Sequence, residues 1–332
     1  MTNLDEHPGV EVLEAGRPYA AVQALEPRLV PLGGPRAMTV YRTLPQRERS
    51  LVGAWCFLDH YGPDDVAATG GMRVPRHPHT GLATVSWLFS GRIGHLDSGG
   101  HAASVVPGEL NLMIAGRGIT HQEISDPETA VLHGVQLWYA LPERTRFGDN
   151  GFVHYVPEPV TLPGATARVF VGRLLGSISP VDTRTPDLLG AELVLEPGAS
   201  VRLDVRADFE HAVLAESDQV FVNSIAVGHR SLAYIPPGSE TLVISAGGDA
   251  GVRVILLGGV PLGEQIVMWW NFVGRDHDEI AEFRRRYQAE LGFEPEDATD
   301  AGAPDLFGPF PAGQPQPLPA PPLPSVRLRP RE

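Results

Sequence analysis

His77-Pro78-His79 and, further along, His121-Gln122-Glu123 bracket the stretch 75–125, on which the reading of the whole chain turns. In each triplet the outer residues are spaced i, i+2, so on a β-strand both point to the same face. If the two strands are neighbours, three imidazoles and one carboxylate meet at a single point. That is a ligand set for a divalent transition metal, with positions left for water or substrate. Between the triplets runs β-type sequence, Ala83-Thr-Val-Ser-Trp-Leu-Phe89, broken at Ser90-Gly91 and again at Ser98-Gly-Gly100. Strand runs cut by such turns at short intervals indicate a barrel or sandwich. The expectation is a metal site inside a small β-barrel.

Working outward, Arg28-Leu-Val-Pro-Leu32 and Ala37-Met-Thr-Val-Tyr-Arg-Thr-Leu44 read as strands joined by a Gly33-Gly34-Pro35 turn. Asp59-His60 reads either as hydrogen-bonding support behind a metal site or, preferably, as an ordinary strand end. Leu132-His-Gly-Val-Gln-Leu-Trp-Tyr-Ala-Leu141 alternates as a barrel strand should. A second series of β-runs follows residue 160, punctuated by Pro197-Gly198, Pro237-Gly238 and Gly247-Gly248, and its rhythm matches the first. The chain therefore reads as all-β, two diverged copies of one barrel. One helix is expected over 276–291, with Asp276 as N-cap, Glu279 three residues on, Ile280, Phe283, Tyr287 and Leu291 on one face, and Gly292 beyond the end. The predicted division is an arm over 1–27, a metal-binding barrel over 28–145, a barrel without metal plus the helix over 146–292, and a tail over 293–332. The tail turns acidic, then proline-rich, and is expected to be polyproline-like or disordered.

Composition narrows the function classes. The net charge of −14 argues against nucleic acid as a direct partner, since phosphate binding needs clustered basic surface. All 26 basic residues are arginine, which excludes Schiff-base and lysine-base chemistry. Cys56 stands alone, so neither an intramolecular disulfide nor a cysteine zinc cluster forms. No secretory leader and no long apolar run is visible, so the expectation is a cytoplasmic protein that does not engage a membrane.

Among the other histidines, His95 and His101 flank the Asp97-Ser-Gly-Gly100 turn and are expected to be exposed. His133 is left open, and His211 and His229 lack a spaced partner and are not expected to bind metal. Trp87, Phe89, Leu112 and Ile114 alternate around the ligand strands as candidates for an apolar wall; which of them face inward is open.

Several segments resemble the pirin family. These are Phe57-Leu-Asp-His-Tyr-Gly-Pro63, Pro75-Arg-His-Pro-His-Thr-Gly-Leu-Ala-Thr-Val85, Val106-Pro-Gly-Glu-Leu110, Ile114-Ala-Gly-Arg-Gly-Ile-Thr-His-Gln-Glu123, Gln136-Leu-Trp138, and Pro261-Leu-Gly-Glu264 with Met268-Trp-Trp-Asn-Phe-Val273. The resemblance spans about 28–292 and implies a bicupin, two cupin-type barrels with metal in the first alone. It implies one divalent metal, iron foremost with manganese, nickel, copper or zinc as alternatives, held by His77, His79, His121 and Glu123. It also implies ring opening of a flavonol by dioxygen, as in quercetin 2,3-dioxygenases, with Glu123 as base. The alternative is a redox-responsive iron protein acting on a protein partner without catalysis. One departure stands out: Thr80 and Ala83 replace the family's usual Arg and Glu, which should alter the charge of the substrate pocket and leave the metal ligands intact.

Overall fold

The computed structural model describes residues 11–13, 22–32, 38–185, 187–295 and 304–328. The expected Gly33-Gly34-Pro35 turn lies outside them. Each half builds a seven-stranded antiparallel sheet facing a four-stranded one. In the first half the large sheet runs Gly151–Tyr155, Leu110–Ile114, Leu82–Ser90, Val131–Ala140, Trp55–Asp65, Met38–Leu44, Arg28–Leu32, and the small one Arg73–His79, Ile119–Ser125, Ile93–Asp97, Ala102–Val105. The second half repeats the plan, with Val160–Leu162, Ala165–Val171, Leu188–Leu195, Val252–Gly259, Glu210–Ala215, Leu232–Ile235 and Gln23–Leu25 facing Ser200–Asp204, Thr241–Ala246, Val220–Val222 and Ile225–Val227. The duplicated β-rhythm of the sequence is thus an all-β, two-barrel chain.

The two large sheets pack on one another. Val85, Trp87, Leu112, Leu137 and Tyr139 from the first half form one cluster with Phe170, Leu214, Tyr234, Ile255 and Leu257 from the second. A strand with one face in its own barrel and the other in this seam is buried on both sides. That is why Leu82–Ser90 reads as a near-continuous apolar run, while the outer strand Ser200–Asp204 alternates. Polar anchors pin the seam. Trp55 Nε1 donates to the carbonyls of Leu189 (3.1 Å) and Gly258 (3.2 Å), and Glu210 accepts from Gly53 N (2.7 Å) and Tyr234 Oη (2.8 Å). Gly53, at φ +57°, lies so close that a Cβ would stand 2.7 Å from the Gly259 Cα, which leaves no room for a side chain.

The chain ends cross over, which the linear division of the sequence does not capture. Gln23–Leu25, expected in a loose arm, pairs with Leu232–Ile235 of the second barrel. Glu11–Leu13 pairs with Ile266–Met268. Gly151–Tyr155, beyond the expected junction at 145, extends the first large sheet. The hairpin Ile266–Trp269/Phe272–Gly274 returns to the first barrel, where Val273 N donates to Thr80 O (3.2 Å). Helix His277–Glu290 follows it, capped by Asp276, whose carboxylate accepts from Glu279 N at 2.9 Å. Ile280, Phe283 and Tyr287 bury its apolar face in a cluster with Phe272 and Phe307.

The tail departs furthest from expectation. Residues 304–328 are packed: Phe307, Ala320 and Leu328 are buried, Leu318 N donates to Arg76 O (2.8 Å), and Tyr287 Oη donates to Leu318 O (2.6 Å). A proline-rich segment cannot fold alone, but here the helix and the outer face of the small sheet supply the surface and hydrogen bonds it lacks. Among the described residues no helix is long and apolar enough to cross a membrane.

Candidate metal centre

The two histidine triplets are direct neighbours. Arg73–His79 pairs antiparallel with Ile119–Ser125, with His121 opposite His77 and Ile119 opposite His79. Alternation then does what the spacing requires. His77, His79, His121 and Glu123 turn into the barrel and are 0%, 0%, 0% and 1% exposed. The intervening Arg76, Thr120 and Gln122 turn out and bind the tail: Arg76 Nη2 and Thr120 Oγ1 donate to the carbonyls of Gly308 (2.6 Å) and Phe307 (3.0 Å), and Gln122 Nε2 donates to Gln314 Oε1 (2.6 Å).

The imidazoles are oriented from behind. His77 Nδ1 lies 2.8 Å from Pro75 O and His79 Nδ1 lies 3.1 Å from Asn271 O. A carbonyl only accepts, so each Nδ1 carries the proton and each Nε2 presents its lone pair. The Nε2 atoms of His79 and His121 stand 3.1 Å apart, and ring nitrogens of His77, His79 and His121 all lie within 4.8 Å of one another. Donors at about 2.0–2.1 Å from one metal ion are roughly 3.0–3.4 Å apart, and His77 Nε2 is buried with no hydrogen-bond partner. The residues present therefore fit a transition-metal ion.

Glu123 groups differently. Its carboxylate lies within 4.8 Å of ring nitrogens of His121 and His95, and the set that contains His77 and His79 does not include it. His95, expected on an exposed hairpin, is buried because Ile93–Asp97 pairs with Ile119–Ser125 and sets His95 opposite Glu123. Its Nε2 lies 3.1 Å from Asp97 Oδ2 and its Nδ1 3.4 Å from His121 Nδ1. Burial raises the Asp97 pKa, but hydrogen bonds from His95 and His101 outweigh it and hold the carboxyl below its usual range. His101 remains at the rim, half-buried, on the other oxygen of Asp97. The signal was available in the sequence: His95-Leu96-Asp97 has the i, i+2 spacing of the two triplets.

The inner wall also differs from the candidates. Trp87, Leu112 and Ile114 face the seam between the barrels, and Phe89 packs against the same cluster. The large sheet instead turns Ser86, Gln136 and Trp138 inward. Ser86 Oγ lies 3.1 Å from Glu123 Oε1 and 2.9 Å from Gln136 Oε1. Trp138 meets His79 edge-on at 4.9 Å and stacks on Phe57 at 4.0 Å. The two positions expected to alter the pocket's charge, 80 and 83, turn their side chains elsewhere. Ala83 lies in the seam cluster, and Thr80 Oγ1 donates to Val273 O at 3.4 Å. Asp59 does not support the centre through His60 either; it pairs with Arg42 at 2.7 Å, and His60 projects to the seam.

Burial keeps the imidazoles neutral, as metal ligands must be. It pulls His77 down from 6.5 to about 3, and it also lowers His79 and His121, each with the other histidines adding to the effect. The unfolded chain takes up these protons near pH 6.5, whereas folded His77 does so only near pH 3 and folded His79 and His121 are held well below their usual range. Stability of the metal-free protein should therefore be full above pH 6.5 and fall as pH drops from there toward 3. Each such histidine contributes about 1.4 kcal/mol per pH unit. Denaturant midpoints measured on metal-free protein between pH 7.5 and 5 should decline accordingly; a flat profile would show that the histidines are not buried neutral.

Two cupin-type barrels in one chain, the first holding a buried cluster of histidines that could hold a metal ion, define a bicupin. The chain belongs to the pirin family: residues 37–139 match the description Pirin and residues 190–293 match Pirin C-terminal cupin domain. A Pseudomonas aeruginosa protein named "Putative quercetin 2,3-dioxygenase PA1205" is 38% identical over 91% of this chain and 91% of its own. A Caulobacter vibrioides "Pirin-like protein" is 35% identical over 75% of this chain and 88% of its own. A crystal structure named quercetin 2,3-dioxygenase from Acinetobacter baumannii superposes with a TM-score of 0.82 at 32% identity, covering 93% of this chain and 98% of that one.

Proposed function

We propose that the protein is an iron-dependent dioxygenase that opens the central ring of flavonols, converting flavonol and dioxygen to a ring-opened ester and carbon monoxide. The observation that carries this reading is the convergence of three buried, neutral imidazoles beside a buried carboxylate, and the named relatives agree with it. His77, His79, His121 and Glu123 would hold the ion, which would supply Lewis acidity toward the substrate oxygen and the one-electron chemistry that dioxygen needs. Glu123 receives the proton of the flavonol 3-hydroxyl, and Ser86 at 3.1 Å holds that carboxylate in place. Trp138 and Phe57 offer the planar apolar surface on which an aromatic substrate rests. His95, steadied by Asp97, fixes His121 from its far side.

A second reading, an iron-dependent regulator acting through a protein partner, takes the complete burial of His77, His79 and His121 as that of a site closed to substrate. The deciding experiment is oxygen uptake together with carbon monoxide release from iron-loaded protein over a panel of flavonols. Metal-dependent release is expected. Its absence across the panel would leave the regulator.

A further inference from the structure

A second histidine cluster lies on the opposite side of the first large sheet, in the seam between the barrels. His60 belongs to Trp55–Asp65 and His133 to Val131–Ala140, while Glu216 directly follows Glu210–Ala215 of the second barrel. His133 Nε2 is 3.2 Å from His60 Nε2 and 3.1 Å from Glu216 Oε1, and one ligand atom from each residue falls within 4.8 Å of the others. We infer that His60, His133 and Glu216 form a second divalent-metal site, which ties the first barrel to the second.

Four observations support this. The donor separations of 3.2 and 3.1 Å match the roughly 3.0–3.4 Å between ligands of one ion held at about 2.0–2.1 Å. Two imidazoles and a carboxylate are a familiar donor set for zinc and other borderline divalent cations. His60 is fully buried and turns its Nε2 to the Nε2 of His133 at 3.2 Å, so the ring is committed to the cluster and not to solvent. Finally, Glu216 is positioned from outside the cluster, with Ser217 Oγ donating to Oε2 at 3.2 Å and leaving Oε1 for the ion.

The surroundings suit a cation site with an open side. The side chains of His133 and Glu216 are 11% and 12% exposed, which gives an ion a way in. Phe89 walls the cluster at 4.9 Å from the His133 ring. The neighbouring arginines are engaged elsewhere: Arg253 pairs with Glu192 at 3.0 Å, and Arg230 lies on the Tyr41 ring at 3.8 Å and donates to Gly62 O at 3.0 Å. His229, exposed and with its ring 6.5 Å from that of His60, is placed to add a fourth ligand or to admit water.

Equilibrium dialysis of the full, metal-free chain against zinc, with elemental analysis, tests the assignment. Wild type should take up two equivalents. His79→Ala should retain one, at the seam. His133→Ala and Glu216→Gln, used together as independent probes because either alone could perturb folding, should each retain one, at the first centre. The combination His79→Ala with Glu216→Gln should take up none. Thermal denaturation adds a second readout: zinc should raise the midpoint of His79→Ala and leave that of the combined variant unmoved. One equivalent in wild type, or two that survive both seam substitutions, would overturn the site and leave a His133–Glu216 ion pair alone.

Discussion

Replacing His79 by alanine should empty the first centre: the metal bound there should fall from about one ion per chain to near zero, with the barrel still folded. The effect should be this large because His79 lies at the middle of the site. Its Nε2 stands 3.1 Å from that of His121, its Nδ1 is fixed by the Asn271 carbonyl, and its ring supports Trp138 at 4.9 Å. Losing one of three imidazoles leaves His77 and His121 without a completed set, and no other donor is aimed at the same point by the strand Arg73–His79. The fold should survive because the barrel's apolar clusters do not include the histidines, and the pairing of their strands is made by backbone groups that the substitution leaves in place. His121→Ala should behave the same way, with one difference. His121 also lies 3.4 Å from His95, so its removal frees the Asp97–His95 pair as well. Elemental analysis with circular dichroism on both variants checks this. Full metal occupancy in both would remove the ligand assignment.

Glu123→Gln should keep much of the metal and lose most of the turnover, on the order of 10²–10⁴-fold in kcat, the usual effect of removing a general base. The amide matches the carboxylate in shape and can still meet Ser86, but it cannot take up a proton. Metal should persist because three imidazoles remain within 4.8 Å of one another without Glu123. Measuring metal content and oxygen uptake on the same sample separates the two roles. Equal turnover in wild type and variant would leave the activity standing and remove Glu123 as the base. Parallel loss of metal and turnover would instead make Glu123 a ligand first.

Periodicity carried much of the architecture. The i, i+2 spacing in His77-Pro78-His79 and His121-Gln122-Glu123 fixes which residues share a face, because side-chain alternation along a strand is a local property. The repeated β-runs and turn dipeptides gave two all-β halves. Asp276, the apolar stripe and Gly292 marked the helix to within a residue of His277–Glu290, since caps and amphipathic spacing are also local.

Only the tertiary structure decided which strand lies beside which, and much of the centre depends on that. His95 enters because Ile93–Asp97 pairs with the ligand strand, a contact between segments that turn chemistry alone assigned to a surface hairpin. Trp87, Leu112 and Ile114 are as apolar as an inner wall would need, but both faces of their sheet are buried, and sequence has no marker for which buried face is the seam. The carbonyl that orients His79 comes from Asn271, and the segment covering the outer face of the ligand sheet comes from residues 304–328. Both arrive from far along the chain. Proline-rich sequence shows that such a segment cannot fold by itself; whether it meets a surface that orders it depends on long-range packing. The seam cluster is the extreme case: His60 and His133 share no motif but lie on paired strands of the first barrel, and Glu216 reaches them only by one barrel docking on the other.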